Sequence, residues 1–266
     1  IKLFENNYLP KDSKILSATV SKRANKWFVS LQVEEDIKTT TNISDSIVGI
    51  DLGIKTLATC SDGVIYENPK ALKNNLRRLK RKSKQLSRKQ KGSKNRQKAK
   101  LKLAKLHYKI SNIRKDTLHK VTSQIVNENQ VIVLEDLKVS NMMKNHCLAQ
   151  AISDVGFYEF RRQIEYKAKW YNREVVFVDT FYPSSKLCSV CGWKNTELTL
   201  KDRVFECREC ENKIDRDMNA AINLKQGYTG SSLGIYACED RSSSNESLVS
   251  LSQKHESNKK SNFRFL

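Results

Sequence analysis

Four cysteines and three acids are the residues of this chain whose types and spacing could do chemistry. Cys188 and Cys191 form one C-x2-C pair, and Cys207 and Cys210 a second, with fifteen residues between them. Each pair sets two thiolates on one tight turn, and the intervening stretch is long enough for a short hairpin. This is the spacing of a four-thiolate zinc site, and four protein ligands close the coordination sphere, so the zinc would be structural. Two disulfides or four unrelated buried thiols are the competing explanation. The three acids are Asp51, which closes the apolar run IVGID (47–51), Glu135, which closes VIVLE (131–135), and Asp217, near the start of DRDMNAAINL. Singly, each has an ordinary reading. An acid ending a strand serves as a turn residue, and Asp ahead of a helix serves as its N-cap. Gathered at one sheet edge, the three would repel unless cations neutralised them. Mg²⁺ suits such a set because it takes oxygen ligands and keeps several waters. Two such ions about 4 Å apart can activate a water and stabilise the leaving oxygen of a phosphodiester.

These acids need a sheet to carry them, and the hydrophobic pattern supplies one. IVGID, KTLATC (55–60) and GVIYE (63–67) read as three strands joined by short turns, an antiparallel meander. VIVLE and EVVFVD (174–179) read as two more, with a helix between them from about residue 155 to 171 and a polar, loop-like stretch over 137–152. Asp136 should point to the face opposite Glu135. Before the meander, residues 15–21 and 26–34 both alternate, which predicts a hairpin that must pack on something else. The order of three strands, helix, strand, helix, strand, helix matches an RNase H-like core. The expected fold class is α/β: an RNase H-like core with a basic helical insertion and a four-cysteine zinc ribbon.

The insertion holds the charge. Of 49 Lys and Arg in the 266 residues, 20 lie between Glu67 and Asp116, a span without one acid, and removing them leaves 29 basic residues against 29 acidic ones. The whole net charge of +20 therefore sits in one segment. Leu72, Leu76, Leu79 and Leu86, then Leu103, Leu106, Ile110 and Ile113, recur at helical spacing on either side of Gly92. This predicts two amphipathic helices over 70–128 with a cationic outer face. A solvated arm usually mixes signs and this one does not, so phosphate binding is preferred, through Arg77, Arg78, Lys80, Arg81, Lys82, Lys84, Arg88 and Lys89. No aromatics interleave the block, which favours backbone contact over base readout. No apolar run is long enough to span a membrane, and no secretory leader is read. The cysteine usage points to a reducing compartment such as a cytoplasm, with Cys60 and Cys238 as bystanders.

GIDLGIK (49–55), VIVLEDL (131–137) and the CSVCG, CREC and DRDMNAA segments between residues 188 and 221 resemble the three split RuvC motifs and zinc ribbon of the TnpB (OrfB) family. These are insertion-sequence proteins related to type V CRISPR effector nucleases. The resemblance covers roughly residues 15–225 and implies an RNA-guided DNA endonuclease with a RuvC site of Asp51, Glu135 and Asp217. Asp215 is a second candidate for the third acid; Asp217 is preferred for its place in the D-x-N-A-A arrangement. The resemblance also implies that guide RNA or the RNA–DNA hybrid lies on the basic insertion. It implies, in the bacterial or archaeal cytoplasm, a domain order of a wedge-like hairpin (1–46), the core with its insertion (47–182), the ribbon (183–213) and the last RuvC motif (214–226); beyond it the Gly- and Ser-rich, aperiodic stretch 227–266 reads as a disordered tail. Full-length members carry further N-terminal sequence, so a truncated chain is expected. Two other functions compete: a transposase-related remnant that binds nucleic acid without cutting, and a zinc-ribbon DNA-binding regulator.

Overall fold

A computed structural model of the chain describes residues 14–34, 46–199, 201–229, 235–237 and 263–264. It divides into two compact units. The smaller unit holds the hairpin of β1 (Lys14–Arg23) and β2 (Lys26–Glu34), together with residues 82–108. Ala24 and Asn25 both take positive φ, the backbone of a two-residue type I′ turn that matches strand twist. Ala18 faces Leu31 and Val20 faces Val29 across the pair. The alternation thus fixes the register, but not in order to bury that face: Leu16, Val20 and Trp27 remain exposed. Val33, in contrast, is fully buried, and Phe28 packs against Tyr108 within the same unit.

The larger unit is built on a six-stranded mixed sheet. Its first strands are β3 (Ile47–Leu52), β4 (Thr56–Cys60) and β5 (Ile65–Glu67), the antiparallel meander read from the sequence. Helix α1 (Ala71–Ser87) and helix α2 (Lys94–Glu128) follow, separated by a turn that includes Gly92 at φ +83°. Arg96 closes that turn by donating to the Leu86 and Lys89 carbonyls. The chain re-enters the sheet as β6 (Val131–Glu135), parallel to β3.

Residues 137–152, expected as loop, contain a single helical turn α3 (Val139–Met142) and the start of α4 (Ala149–Val155). Gly156 then breaks the helix at φ +79° before α5 (Phe157–Tyr171). The helix expected from about 155 to 171 is α5, and α4 is an additional helix ahead of the glycine, in the stretch expected as loop. β7 (Glu174–Val178) completes the parallel set. The ribbon follows with its short hairpin β8 (Val204–Glu206) and β9 (Lys213–Asp215), then α6 (Arg216–Thr229). β10 (Ile235–Ala237) pairs antiparallel with β7, giving the order β10-β7-β6-β3-β4-β5. β11 (Phe263–Arg264) pairs with β2. Residues 227–229 are the last turn of α6, and the rest of the tail, apart from β10 and β11, lies outside the described residues, as does Cys238.

Strand alternation sorts the core. Val48, Ile50, Ile132, Leu134, Val175 and Phe177 turn one face of the sheet toward α2 and α5. Val131, Val133, Val176 and Val178 turn the other face toward Leu224 of α6. Gly49 lies on this second face. A Cβ there would stand 2.5 Å from the Lys225 amide nitrogen and closer still to the Ala221 carbonyl oxygen, so only glycine lets the α6 backbone seat this close. Ala220 and Ala221 are likewise buried. Among the described residues, no helix is long and apolar enough to cross a membrane.

Candidate metal-binding and nucleic-acid sites

Asp51 and Glu135 have the parity of Gly49, Val131 and Val133, so both belong to the α6 face. The parallel register that sets Ile50 beside Leu134 puts Asp51 and Glu135 side by side at the strand ends, where neighbouring strands lie about 4.8 Å apart. Asp136, on the opposite parity, pairs with Arg161 of α5. Asp217 comes to the same edge from the first turn of α6. Burial, then the charges of Asp217 and Glu135, push the Asp51 carboxyl up to about 7. Burial also raises Glu135. The charges of two chain-distant acids thus reach Asp51 and disfavour its ionised form, although among the described residues the carboxylate oxygens are not grouped tightly enough to hold a metal ion as they stand, unlike the four cysteines.

The two aspartates before α6 do different work. Asp215 Oδ1 accepts the backbone N–H groups of Asp217 and Met218 at 2.9 and 3.1 Å, so Asp215 is the N-cap. Asp217 is not used as a cap. Its Oδ1 lies 3.5 Å from the Arg216 guanidinium, which also pulls the Asp51 carboxyl down against its acidic neighbours. Arg216 Nη1 donates to the Thr199 carbonyl, and its buried Nε has no partner among the described residues. Sequence reasoning missed Arg216. Its signal was the single cation between two acids in D-R-D.

The four cysteines converge as their spacing predicts. Their sulfurs lie within 4.8 Å of one another, with Cys188 to Cys210 at 3.6 Å and Cys191 to Cys207 at 3.5 Å. These exceed a disulfide bond and approach the edge of about 3.8 Å that a tetrahedron with 2.3 Å metal–sulfur bonds would have. The set can hold a metal ion such as zinc. Phe205 is fully buried beside Cys188 and Cys207 and gives the ribbon a small core. Two buried amides on α6 tie the ribbon to the acids. Asn219 accepts the Ser189 N–H at 3.0 Å and donates to the Leu187 carbonyl, and Asn223 donates to the Ser184 and Leu187 carbonyls. Their i, i+4 spacing among the apolar residues that α6 buries was the signal that sequence reasoning passed over.

Of the eight basic residues expected to meet phosphate, all lie on α1 or in the turn after it, and all but half-buried Lys82 are exposed. None forms an ion pair among the described residues, which leaves their charge available. α1 is rooted by Asp154, whose buried carboxylate accepts the Leu72 and Lys73 N–H groups and pairs with Arg114 at 3.1 Å. Cys60 is buried in the core, its thiol pushed up to about 12, as befits a bystander.

A family described as "Probable transposase" (OrfB of IS605-type elements) matches residues 28–146, and one described as "Cas12f1-like, TNB domain" matches residues 157–224. A Streptomyces pristinaespiralis protein named "Putative RNA-guided DNA endonuclease" is 43% identical over 92% of this chain and 61% of its own length. The Escherichia coli K12 protein named "Putative RNA-guided DNA endonuclease InsQ" is 37% identical over 79% of this chain and 56% of its own. The chain therefore spans little more than half the length of these relatives. The structure titled "Cryo-EM structure of the Cas12f1-sgRNA-target DNA complex" shares the fold, with a TM-score of 0.54 and 23% identity over 75% of this chain and 42% of that one. The chain belongs to the TnpB (OrfB) family of insertion-sequence proteins.

Proposed function

We propose that this chain is a RuvC-like, metal-dependent DNA endonuclease directed by a guide RNA. The observation that carries the reading is the convergence of Asp51, Glu135 and Asp217 on one sheet edge, from segments more than 80 residues apart in sequence. The meander followed by parallel β6 and β7 supports an RNase H-like core. The family relationship and the relatives' names support RNA guidance and a DNA substrate.

The three carboxylates would hold Mg²⁺, which when bound supplies an activated water and charge stabilisation for in-line phosphodiester hydrolysis. The chain's own contribution is placement. Strand register fixes Asp51 against Glu135, and Gly49 lets α6 come near enough to bring Asp217. Asp215 holds the first turn of α6 in shape, and Arg216 balances part of the negative charge. The ribbon, with zinc on its four thiolates, would anchor Asn219 and Asn223 and so the start of α6. The cations of α1 would take nucleic-acid backbone, whose recognition by shape needs no base-specific side chain.

The test is cleavage of single- and double-stranded DNA with Mg²⁺, with and without RNA co-purified from the host of its native locus, beside Asp51→Ala. RNA-dependent cutting that the variant loses supports the reading in full. Cutting without RNA removes the guidance from it. The cations of α1, which form no ion pair among the described residues, favour a second reading, a protein that binds nucleic acid without cutting. Salt-sensitive binding without cleavage in any lane would establish that one.

A further inference from the structure

The sheet edge that carries the carboxylates also carries an aromatic ring with no partner in the core. Phe181 lies three residues beyond Val178, and Lys138 three residues beyond Glu135; Val178 and Glu135 are register partners at the ends of parallel strands. Both segments therefore leave the sheet at the end where Asp51 and Glu135 stand. Phe181 is 84% exposed, the highest value among the large apolar side chains described. Lys138 is exposed too, with its ammonium 5.7 Å from the ring centroid.

The exposure is built in. Asp179 makes a tight turn, its Oδ1 accepting the Phe181 N–H at 2.7 Å and its carbonyl accepting the Tyr182 N–H at 3.0 Å. Thr180 Oγ1 donates to the Asp136 carbonyl at 2.8 Å, tying the turn to the segment after β6. Tyr182 takes the inward direction, against the α6 face, and its hydroxyl donates to the Asn223 carbonyl. With Tyr182 fixed inward and the turn pinned on both sides, Phe181 is held outward. A single exposed apolar residue needs no explanation by itself. A rigidly projected ring beside a cation that forms no ion pair among the described residues, at an edge that carries carboxylates, does.

We propose that Phe181 and Lys138 form a subsite for single-stranded DNA, with a nucleobase stacked on the Phe181 ring and an adjacent phosphate taken by the Lys138 ammonium. An aromatic face offers a base nothing that a duplex does not already give it, so the ligand is an unpaired strand. Its role is to lay that strand across the carboxylate edge, and this rests on the nuclease reading above. Sequence tolerance follows, because every base has a face to stack.

The test uses the full chain carrying Asp51→Asn, so that the strand survives. Single-stranded oligodeoxynucleotides, each with one 5-iododeoxyuridine, are bound, irradiated and peptide-mapped. The expected adduct is on Phe181. Phe181→Leu should abolish it and weaken oligonucleotide affinity by about 5- to 150-fold, measured at salt high enough to suppress backbone-only binding, while Phe181→Trp restores both. Unchanged zinc content and thermal unfolding in the Leu variant separate this from misfolding. An absent adduct in the parent, or a Leu variant that binds as tightly, overturns the subsite. Equal crosslinking to a duplex overturns the single-strand assignment. An adduct at Phe181 in a chain that, with Asp51 intact, never cleaves DNA overturns the nuclease reading and leaves the subsite standing.

Discussion

The α-carbon of Gly49 on β3 lies directly beneath the Ala221 carbonyl of α6, with no room for a side chain between them. Packing and the proposed chemistry meet there, because β3 carries Asp51 near its end and α6 carries Asp217 in its first turn. Both clashing groups are backbone and cannot rotate away. Gly49→Ala should therefore destabilise the fold by about 1–3 kcal/mol and lift Asp217 from its partners. Thermal unfolding, with Mg²⁺-dependent cleavage normalised to folded protein, reads both effects. A variant as stable as the parent would show that α6 is not seated against β3.

Asp51→Ala should reduce cleavage at least a hundredfold, beyond the roughly 10- to 100-fold typical of losing a group that only orients a ligand. Nucleic-acid affinity should stay close to that of the parent. Equal loss of cutting and binding would make Asp51 structural.

The raised carboxyl of Asp51 also makes a stability prediction. In Mg²⁺-free buffer the folded chain keeps this proton up to about pH 7, whereas the unfolded chain releases it near its ordinary value of 3.8. The folded state then binds more protons across that window, so stability falls as pH rises from about 4 to about 7. Glu135, raised by burial, acts in the same direction. Asp51→Asn should be more stable than the parent at pH 8 and nearly equal to it at pH 4. Melting curves across this range check it, and added Mg²⁺ should restore the parent alone.

Asp154→Ala should cost about 3 kcal/mol. It removes the cap of α1 and leaves the Arg114 guanidinium, whose Nε is already unpartnered, without its carboxylate. Urea unfolding measures this. A cost below about 1 kcal/mol would mean that α1 holds its root by other contacts.

Zinc removal should disorder the ribbon and free Leu187 and Ser189 from Asn219 and Asn223. Cys207→Ser should lose zinc and, with it, Mg²⁺-dependent cutting. Full activity in a chain verified to be zinc-free would uncouple the ribbon from the acids.

The strands that end in Asp51 and Glu135 were legible because buried parallel strands read as unbroken apolar runs, and strand parity then assigned each acid to a face. The cysteines were legible because thiolate pairs on tight turns require fixed spacing. Asp217 was harder. Its sequence context fits a helix cap, and only the amide contacts of Asp215 assign that job to the neighbour. The break at Gly156 and the helix before it were missed because residues 149–155 (AQAISDV) carry too short a period to stand out from loop. Nothing local could reveal the buried Lys167, which donates to the His119 carbonyl and the Thr122 and Ser123 hydroxyls across two helices. Which part of the β1–β2 hairpin is covered was open in the sequence for a related reason. Alternation reports which residues share a face but not what covers it.

The order in which the ribosome delivers these parts has a consequence. Asp51 and Glu135 emerge before Asp217, which arrives only with α6, and α6 docks only after the strands it covers and the ribbon that ties it down exist. On the proposed reading, a half-made or partly unravelled chain carries two of three carboxylates and is harmless to the genome around it. Assembly of the last helix is then also the safety catch of the nuclease.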